Sequence, residues 1–259
     1  KATTQTEVVL GVDTHRDKHV GVVIDAVGRM QGTLEISTND VGYAQLLDWA
    51  QSLGSLQRAG IEGTGSYGAG LTRFLEERGI QVIEVNRTDR SRRRRKGKSD
   101  PTDAESVARA VLSNDATSLP KSHSGLAEAL RTICVARRSA VKTKTQAINQ
   151  LRALLVSAPS FIRDALLKVK PEHCVAACEA FPQDKTSPVL AALTATLGLL
   201  ARRWSALHAE LCELDKHMDR LTKQAAPRLL SRFGVGPHTA ATLLVTAGDN
   251  PMRLRNEAA

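Results

Sequence analysis

The sequence predicts an α/β domain with a partly parallel sheet, followed by a long helical coiled coil and the start of a small helical domain. Short β-branched segments alternate with helical patterns up to about residue 114, and strand signals are absent after residue 124. Alternation of this kind indicates parallel strands joined by crossover helices. We therefore expect an α/β domain over residues 1–115, a helical linker or dimerisation region over 123–225, and a truncated C-terminal domain from 226.

Composition restricts the class of partner. The 259 residues carry a net charge of +9, which indicates a polyanionic partner, most commonly nucleic acid. Aromatic residues make up only 3% of the chain, fewer than proteins that stack single-stranded bases usually have. The four cysteines are too few for a disulfide framework, and no apolar run approaches the ~18 residues of a membrane span. We expect a cytoplasmic protein with no membrane partner.

Predicted strands and helices alternate along the N-terminal region. The stretch "EVVLGVDTHRDKHVGVVID" predicts two strands joined by a polar turn, and a third short strand follows near residues 33–36. Helical spacing appears in "GYAQLLDWAQSL" and in "AGLTRFLEERG", which ends at a glycine. Between and after them, "QRAGIE" and "IQVIEV" predict two more strands, the first ending in the Gly-rich turn "GTGSYG".

The helical region contains two apolar patterns. The first is a broad stripe that repeats every seventh residue between Ile133 and Leu155. The second is a seam with alternating steps of three and four: Leu190, Leu193, Leu197, Leu200, Trp204, Leu207, Leu211, Leu214, Met218 and Leu221. Either the two helices form an antiparallel hairpin within the chain, or the seam joins two copies of it. The pattern leaves both interpretations open.

The last segment, "RFGVGPHTAATLLVTAGD", resembles a helix-hairpin-helix, whose glycine turn directs backbone amides at a phosphate. We therefore count Gly234, Gly236 and His238 as candidate nucleic-acid contacts. A plain helix N-terminus is the alternative.

Four acids stand where a strand or helix ends. Asp13 ends the first strand, Glu62 ends the strand before the glycine turn, and Asp100 and Asp103 open the helix "DPTDAESVARAVL". Each has a structural explanation: Asp13 as a turn residue, Glu62 as an edge charge, and Asp100 as the N-cap of a helix with Pro101 at N1. If these carboxylates converge, they repel one another unless a cation lies among them. Oxygen ligands favour Mg²⁺ or Mn²⁺, which can assist phosphodiester transfer.

A basic run stands directly before these acids. We expect it to position a phosphate backbone beside the metal site, although such a run is more often a solvated face. The candidate nucleic-acid contacts are Arg87, Arg90, Arg92, Arg93, Arg94, Arg95, Lys96 and Lys98.

Four segments, in order, resemble the DEDD transposases of bacterial insertion sequences, the insertion sequence 110 group that includes Piv-type DNA invertases. They are "GVDTHRDKHVGVVID", "IEGTGSYG", "KSDPTDAESVARAV" and, for the opening of the second domain, "FGVGPHTAATLLVTAGDNPMRLRNEAA". The resemblance implies a ribonuclease-H-like, resolvase-like N-terminal domain. It also implies a metal-binding, catalytic tetrad at Asp13, Glu62, Asp100 and Asp103, with Mg²⁺ or Mn²⁺ as cofactor.

The resemblance further implies a recombinase that joins donor and target DNA under the direction of a structured RNA made by the element. A serine nucleophile in the second domain would work with the acidic site of another subunit. We therefore expect a homodimer or higher oligomer, associated with the bacterial nucleoid. The family's serine would follow Ala259, and Ser231 does not occupy its motif. We expect a truncated form that binds metal and nucleic acid without completing strand exchange.

Three rival interpretations remain at this point. A resolvase-type structure-specific endonuclease would use the same four acids with a metal-bound water. A sugar-kinase or actin-like ATPase would use "EGTGSYG" as a phosphate loop, but the helical seam occupies the place of its duplicated domain. A plain DNA-binding scaffold would tolerate the loss of the carboxylates.

Overall fold

The computed structural model describes residues 6–86, 99–182 and 187–250. The chain divides into two compact units. The first comprises residues 1–125 with 247–259, and the second comprises residues 126–246.

The first unit is built on a five-stranded mixed sheet. Its strands are β1 (Glu7–Thr14), β2 (Lys18–Asp25), β3 (Met30–Ser37), β4 (Ser55–Ile61) and β5 (Gln81–Glu84). The order is β3-β2-β1-β4-β5, with β1–β2 and β2–β3 antiparallel and β1–β4 and β4–β5 parallel. This mixed sheet with its helices is compatible with the ribonuclease-H-like α/β domain that the sequence predicts.

Helices cover both faces of this sheet. They are α1 (Asp40–Leu53), α2 (Ala69–Glu76) and α3 (Asp100–Leu112). One face of β1 packs with α1 and α2 in a core that includes Leu10, and the other packs with α3 in a core that includes Val9. Because β1 is buried on both faces, it reads as a continuous apolar run instead of an alternating one.

Two glycines bring α3 unusually close to the sheet. A Cβ atom at Gly11 would collide with the backbone of Ala104 and Ala108. At Gly60, the equivalent position of β4, a Cβ would lie 2.7 Å from Val111 Cγ2 and 2.8 Å from Val107 Cγ1. At Gly11 the distance between α3 and β1 is therefore set by backbone atoms, and any side chain there would increase it.

The second unit is entirely helical in its described residues. Its helices are α4 (Leu126–Val156), α5 (Ser160–Leu166), α6 (Pro171–Glu179), α7 (Pro188–Ala225), α8 (Pro227–Leu230) and α9 (Pro237–Ala247). Helices α4 and α7 run antiparallel. Arg137 Nε lies 2.6 Å from Asp215 Oδ1, and two turns further along α4 Lys144 Nζ lies 3.1 Å from His208 Nδ1.

The seam of α7 forms two rows with different burial. The row facing α4 is buried and consists of Leu197, Trp204, Leu211 and Met218. It packs mainly on the buried α4 residues Leu130, Ala147, Ile148, Leu151 and Leu155. The other row is only half-buried and consists of Leu193, Leu200, Leu207, Leu214 and Leu221. Packing within the chain thus accounts for the buried row and for part of the other, because Leu193, Leu200 and Leu221 also contact the helical cores. An interface between two copies stays a hypothesis for the exposed part of the second row.

The end of the described chain contains a short helix, a glycine turn and a longer helix. Helix α8 has four residues, Gly234 adopts a φ of +79°, and α9 begins at Pro237. A first helix of one turn is shorter than a helix-hairpin-helix would have, so this assignment stays a prediction. Among the described residues, no helix is both long and apolar enough to cross a bilayer.

Candidate metal site at the end of β1

The site begins with Asp13, the penultimate residue of β1. Side chains alternate between the two faces of a strand, and Val9 and Gly11 both face α3. Asp13 therefore also lies on the α3 side, where it is only 8% exposed. A carboxylate buried to this degree requires a cation, a proton or hydrogen-bond donors nearby.

Glu62 lies beside Asp13 on the neighbouring parallel strand. Val12 pairs with Ile61, so Asp13 and Glu62 occupy the next position on each strand. The two strand ends are tied together, because Glu62 N donates to Val12 O at 3.3 Å and Thr14 Oγ1 donates to Glu62 O at 2.8 Å. Gly63, at a φ of +71°, then turns the chain into the segment before α2. Glu62 itself is half-buried.

The two remaining acids stand in the first turn of α3. The expectation that Asp100 is the N-cap is wrong, because Ser99 holds that position with extended backbone angles (φ −147°, ψ 148°). Asp100 is the first helical residue and Pro101 the second. Asp103 lies one turn after Ser99, where its N–H donates to Ser99 O at 3.0 Å. N-capping therefore does not explain the presence of Asp100, although the helix dipole still favours an acid in the first turn.

A histidine joins the acids. Nε2 of His15 lies 3.2 Å from Asp13 Oδ2 and 3.6 Å from Asp100 Oδ1. One donor atom each from Asp13, His15 and Asp100 lies within 4.8 Å of the other two. Asp103 and Glu62 are outside this three-residue group. Asp103 is nevertheless buried and close enough to act on the charge of Asp13.

The electrostatics of Asp13 reflect this crowding. Burial raises the pKa of the Asp13 carboxyl above its ordinary value, and the negative charges of Asp103 and Asp100 raise it further. The neighbouring His15 lowers the pKa of Asp13. On the outer side, Lys18 Nζ lies 3.9 Å from Asp100 Oδ2 and forms a 2.8 Å ion pair with Glu35. The site thus holds a surplus of negative charge that a divalent cation would balance.

The donor set fits such a cation. Carboxylate oxygens are the ligands that Mg²⁺ and Mn²⁺ prefer, and Asp13 and Asp100 already bring two of them together. Asp103 is close enough to raise the pKa of Asp13, and the backbone of Glu62 adjoins that of Asp13. Of the four acids predicted from the sequence, Asp13 and Asp100 lie within the three-residue group.

His15 was not predicted from the sequence as a site residue. A usable signal was present: His15 follows Asp13 by two positions at a strand end, a spacing that places both on one face.

The predicted nucleic-acid residues cannot be placed against this site. Arg87, Arg90, Arg92, Arg93, Arg94, Arg95, Lys96 and Lys98 all lie outside the described residues. Gly234, Gly236 and His238 belong to the second unit, where Gly236 and His238 are exposed at the start of α9.

A family model described as "Transposase", of the DEDD type of insertion sequence 110, matches residues 10–158. This range covers more than half of the 259 residues and spans nearly all of the sheet, α1 to α3 and the whole of α4. No curated protein matches the chain.

Proposed function

The chain belongs to the DEDD transposase family of insertion sequence 110, and we propose that it is a metal-dependent recombinase that cleaves and rejoins donor and target DNA. One observation carries the proposal. The matched region brings two of the four predicted acids, Asp13 and Asp100, to one point at the end of β1, with Asp103 close to Asp13.

The proposed roles of the residues follow from their positions. Asp13, Glu62, Asp100 and Asp103 would hold Mg²⁺ or Mn²⁺. When bound, such an ion supplies charge stabilisation for phosphodiester cleavage and joining. The protein itself fixes the acids: β1 and β4 hold Asp13 and Glu62 in register, and the first turn of α3 presents Asp100 and Asp103 on one face because they are three residues apart.

The basic segment supports DNA as the substrate. Residues 87–98 connect the end of β5 to the start of α3, and they include eight arginines and lysines and one aspartate. Lys98 is therefore two residues from Asp100 in the sequence. A surplus of negative charge at the acids would repel a phosphate backbone, and a basic segment joined to the same helix offsets that repulsion.

The proposal includes two components beyond these residues. One is a serine nucleophile in the family's second domain, which would act together with the acids. The other is a structured RNA that directs the choice of target, in which case few side chains need to read bases. The positive charge of the chain, +9, supports an RNA partner as well as DNA, because both are polyanions.

We extend the proposal to a homodimer or higher oligomer. The half-buried row of α7, Leu193 to Leu221, is apolar over its length, although α4 leaves it partly exposed. A second copy of the same helix would cover it, as in coiled coils with a three–four spacing.

Calorimetric titration with Mg²⁺ and Mn²⁺ tests the metal site. We expect the native protein to bind and the double variant Asp13→Asn, Glu62→Gln to lose binding. The matched control, Asp48→Asn with Glu77→Gln, removes the same charges from exposed positions and should bind as the native protein does. Binding that survives unchanged in the Asp13 and Glu62 variant would show that the tetrad is assigned wrongly.

A four-way DNA junction separates recombinase from endonuclease. We expect the chain to bind the junction in Mg²⁺, and any cleavage to require a serine nucleophile in addition to the acids. Cleavage that depends on Asp13 but on no serine would instead establish a resolvase-type endonuclease.

A further inference from the structure

We propose that His15 is a nitrogen ligand of the divalent ion at this site, so that the site favours Mn²⁺ over Mg²⁺. The inference rests on the proposed function, because it assumes that the acids of β1 and α3 hold a metal. It goes further by adding a nitrogen donor to a ligand set otherwise made of oxygen.

The position of the imidazole carries the argument. Nε2 lies 3.2 Å from Asp13 Oδ2 and 3.6 Å from Asp100 Oδ1, between the two carboxylates that it would join at a metal. This nitrogen is buried although the His15 side chain as a whole is 45% exposed. Its contacts with Asp13 and Asp100 place it between the two carboxylates. A buried polar nitrogen directed at two carboxylates has the placement of a ligand atom.

The turn that carries His15 is held in place. His15 N donates to Lys18 O at 3.1 Å, which closes the connection between β1 and β2. The second residue of β2 is His19, which is fully buried and stacks on Tyr43 at 5.9 Å between ring centroids. Nδ1 of His19 lies 3.4 Å from His15 N. The backbone of His15 is therefore fixed before any metal arrives, which reduces the cost of binding through its side chain.

The choice of metal follows from the donor type. Mg²⁺ is a hard ion that favours oxygen and keeps several waters, whereas the affinity of nitrogen-containing sites rises along the first transition row from Mn²⁺ onward. Two carboxylates and one imidazole form a mixed set that Mn²⁺ accepts more readily than Mg²⁺. Removing the imidazole should therefore weaken Mn²⁺ binding more than Mg²⁺ binding.

The competing explanation is a simple ion pair. A protonated His15 would neutralise Asp13 and Asp100 without touching a metal, and a bound ion would displace it. In that case the bound metal would have no nitrogen neighbour. The two explanations predict a different magnetic coupling between a bound paramagnetic ion and the imidazole nitrogen.

Electron spin-echo envelope modulation of bound Mn²⁺ distinguishes them. We expect the native protein with one equivalent of Mn²⁺ to show the coupling of a directly bound imidazole ¹⁴N. The coupling should disappear in His15→Ala and in His15→Asp, the second of which restores an oxygen ligand and keeps the metal bound. The control His173→Ala removes an exposed histidine on α6 and should leave the coupling unchanged.

Competition between the two ions gives a second readout. The ratio of Mn²⁺ to Mg²⁺ affinity should fall by about tenfold or more in His15→Asp, in line with the loss of a well-placed metal-site group. Bound Mn²⁺ without nitrogen coupling in the native protein, or coupling that persists in both His15 variants, would overturn the assignment of His15 and leave the metal site intact. Failure of the native protein to bind Mn²⁺ would overturn the metal site as well.

Discussion

Asp13 and Glu62 occupy the same position on two neighbouring parallel strands, immediately after the paired residues Val12 and Ile61. Main-chain hydrogen bonds thus hold the backbones of these two acids side by side, while Asp100 and Asp103 approach Asp13 from the start of α3. Without a cation the carboxylates around Asp13 repel one another. The free energy of unfolding should therefore depend on pH.

Stability without metal should fall as the pH rises. The pKa of Asp13 is raised in the folded protein, mainly by burial, so the folded state holds this proton to a higher pH than the unfolded chain does. Between the ordinary value of 3.8 and the raised one, the unfolded state loses protons first, and the free energy of unfolding decreases. Above the raised value this contribution is lost in full.

The Asp13→Asn variant isolates this contribution. At neutral pH in EDTA it should be more stable than the native protein, because it removes a buried charge from among like charges. Added Mn²⁺ should stabilise the native protein and not the variant. Urea titrations of both proteins at pH 4 and pH 7, with and without Mn²⁺, provide the measurement. A variant that is less stable than the native protein in EDTA at pH 7 would contradict the proposed repulsion.

Gly11→Ala should destabilise the first unit. The added methyl group would collide with the backbone of Ala104 and Ala108, and overpacking of this kind costs about 1–3 kcal/mol. Because α3 would have to move away from β1, Mn²⁺ binding should weaken as well. Gly236→Ala is the matched control, because a Cβ at Gly236 has no neighbour within 4 Å among the described residues. Chemical denaturation and Mn²⁺ titration of both variants test the prediction, and equal stabilities would refute it.

Neutralising the arginines of the basic run should weaken nucleic-acid binding and reduce its dependence on salt. Each phosphate contact contributes about 0.9 to the slope of log affinity against log salt concentration for duplex DNA. Replacing Arg92 to Arg95 with glutamine should therefore lower the slope by about 3 to 4. Fluorescence anisotropy across a range of salt concentrations measures it.

A charge-matched variant controls for the loss of net charge. Glutamine at Arg138, Lys142, Lys216 and Lys223 removes four cations from exposed positions of the helical unit. We expect this variant to keep most of the native slope. If both variants lowered the slope equally, the basic run would have no special part in binding.

Polar substitutions in the half-buried row of α7 should shift the protein toward monomer. Leu207→Gln and Leu214→Gln change positions that α4 covers only in part, so the fold should tolerate them better than changes in the buried row. Leu199→Gln changes a residue that is 61% exposed and should leave assembly unchanged. Sedimentation equilibrium gives the mass of each protein. A native protein that is already monomeric at micromolar concentration would refute the dimer.

Much of the first unit can be predicted from the sequence because its signals are local. The β-branched runs indicate the strands, and the glycine that ends "AGLTRFLEERG" indicates the end of a helix. The cap of α3 could not be assigned, because Ser99 and Asp100 are both good N-cap residues. Proline is accepted at either of the next two positions. Only the backbone angles decide between them.

His15 shows a different limit of prediction. His15 contacts Asp100 because the β1–β2 turn lies against the start of α3. The two residues are 85 positions apart in the sequence, so no local pattern predicts this contact. The seam of α7 shows a third. Its regular spacing predicts an apolar surface correctly, but spacing cannot say whether the partner helix belongs to the same chain.

The close contact at Gly11 holds α3 against β1 near Ala104, so the helix can tilt about this point. Asp100 lies about 6 Å from that point along the helix axis, and the other end of α3, at Val111, lies about 10 Å away on the opposite side. A tilt of about 10° would displace Asp100 by about 1 Å, more than the tolerance of about 0.5 Å of a functional site. Substitutions at Val111, far from any proposed ligand, would therefore change metal affinity through the position of α3 alone.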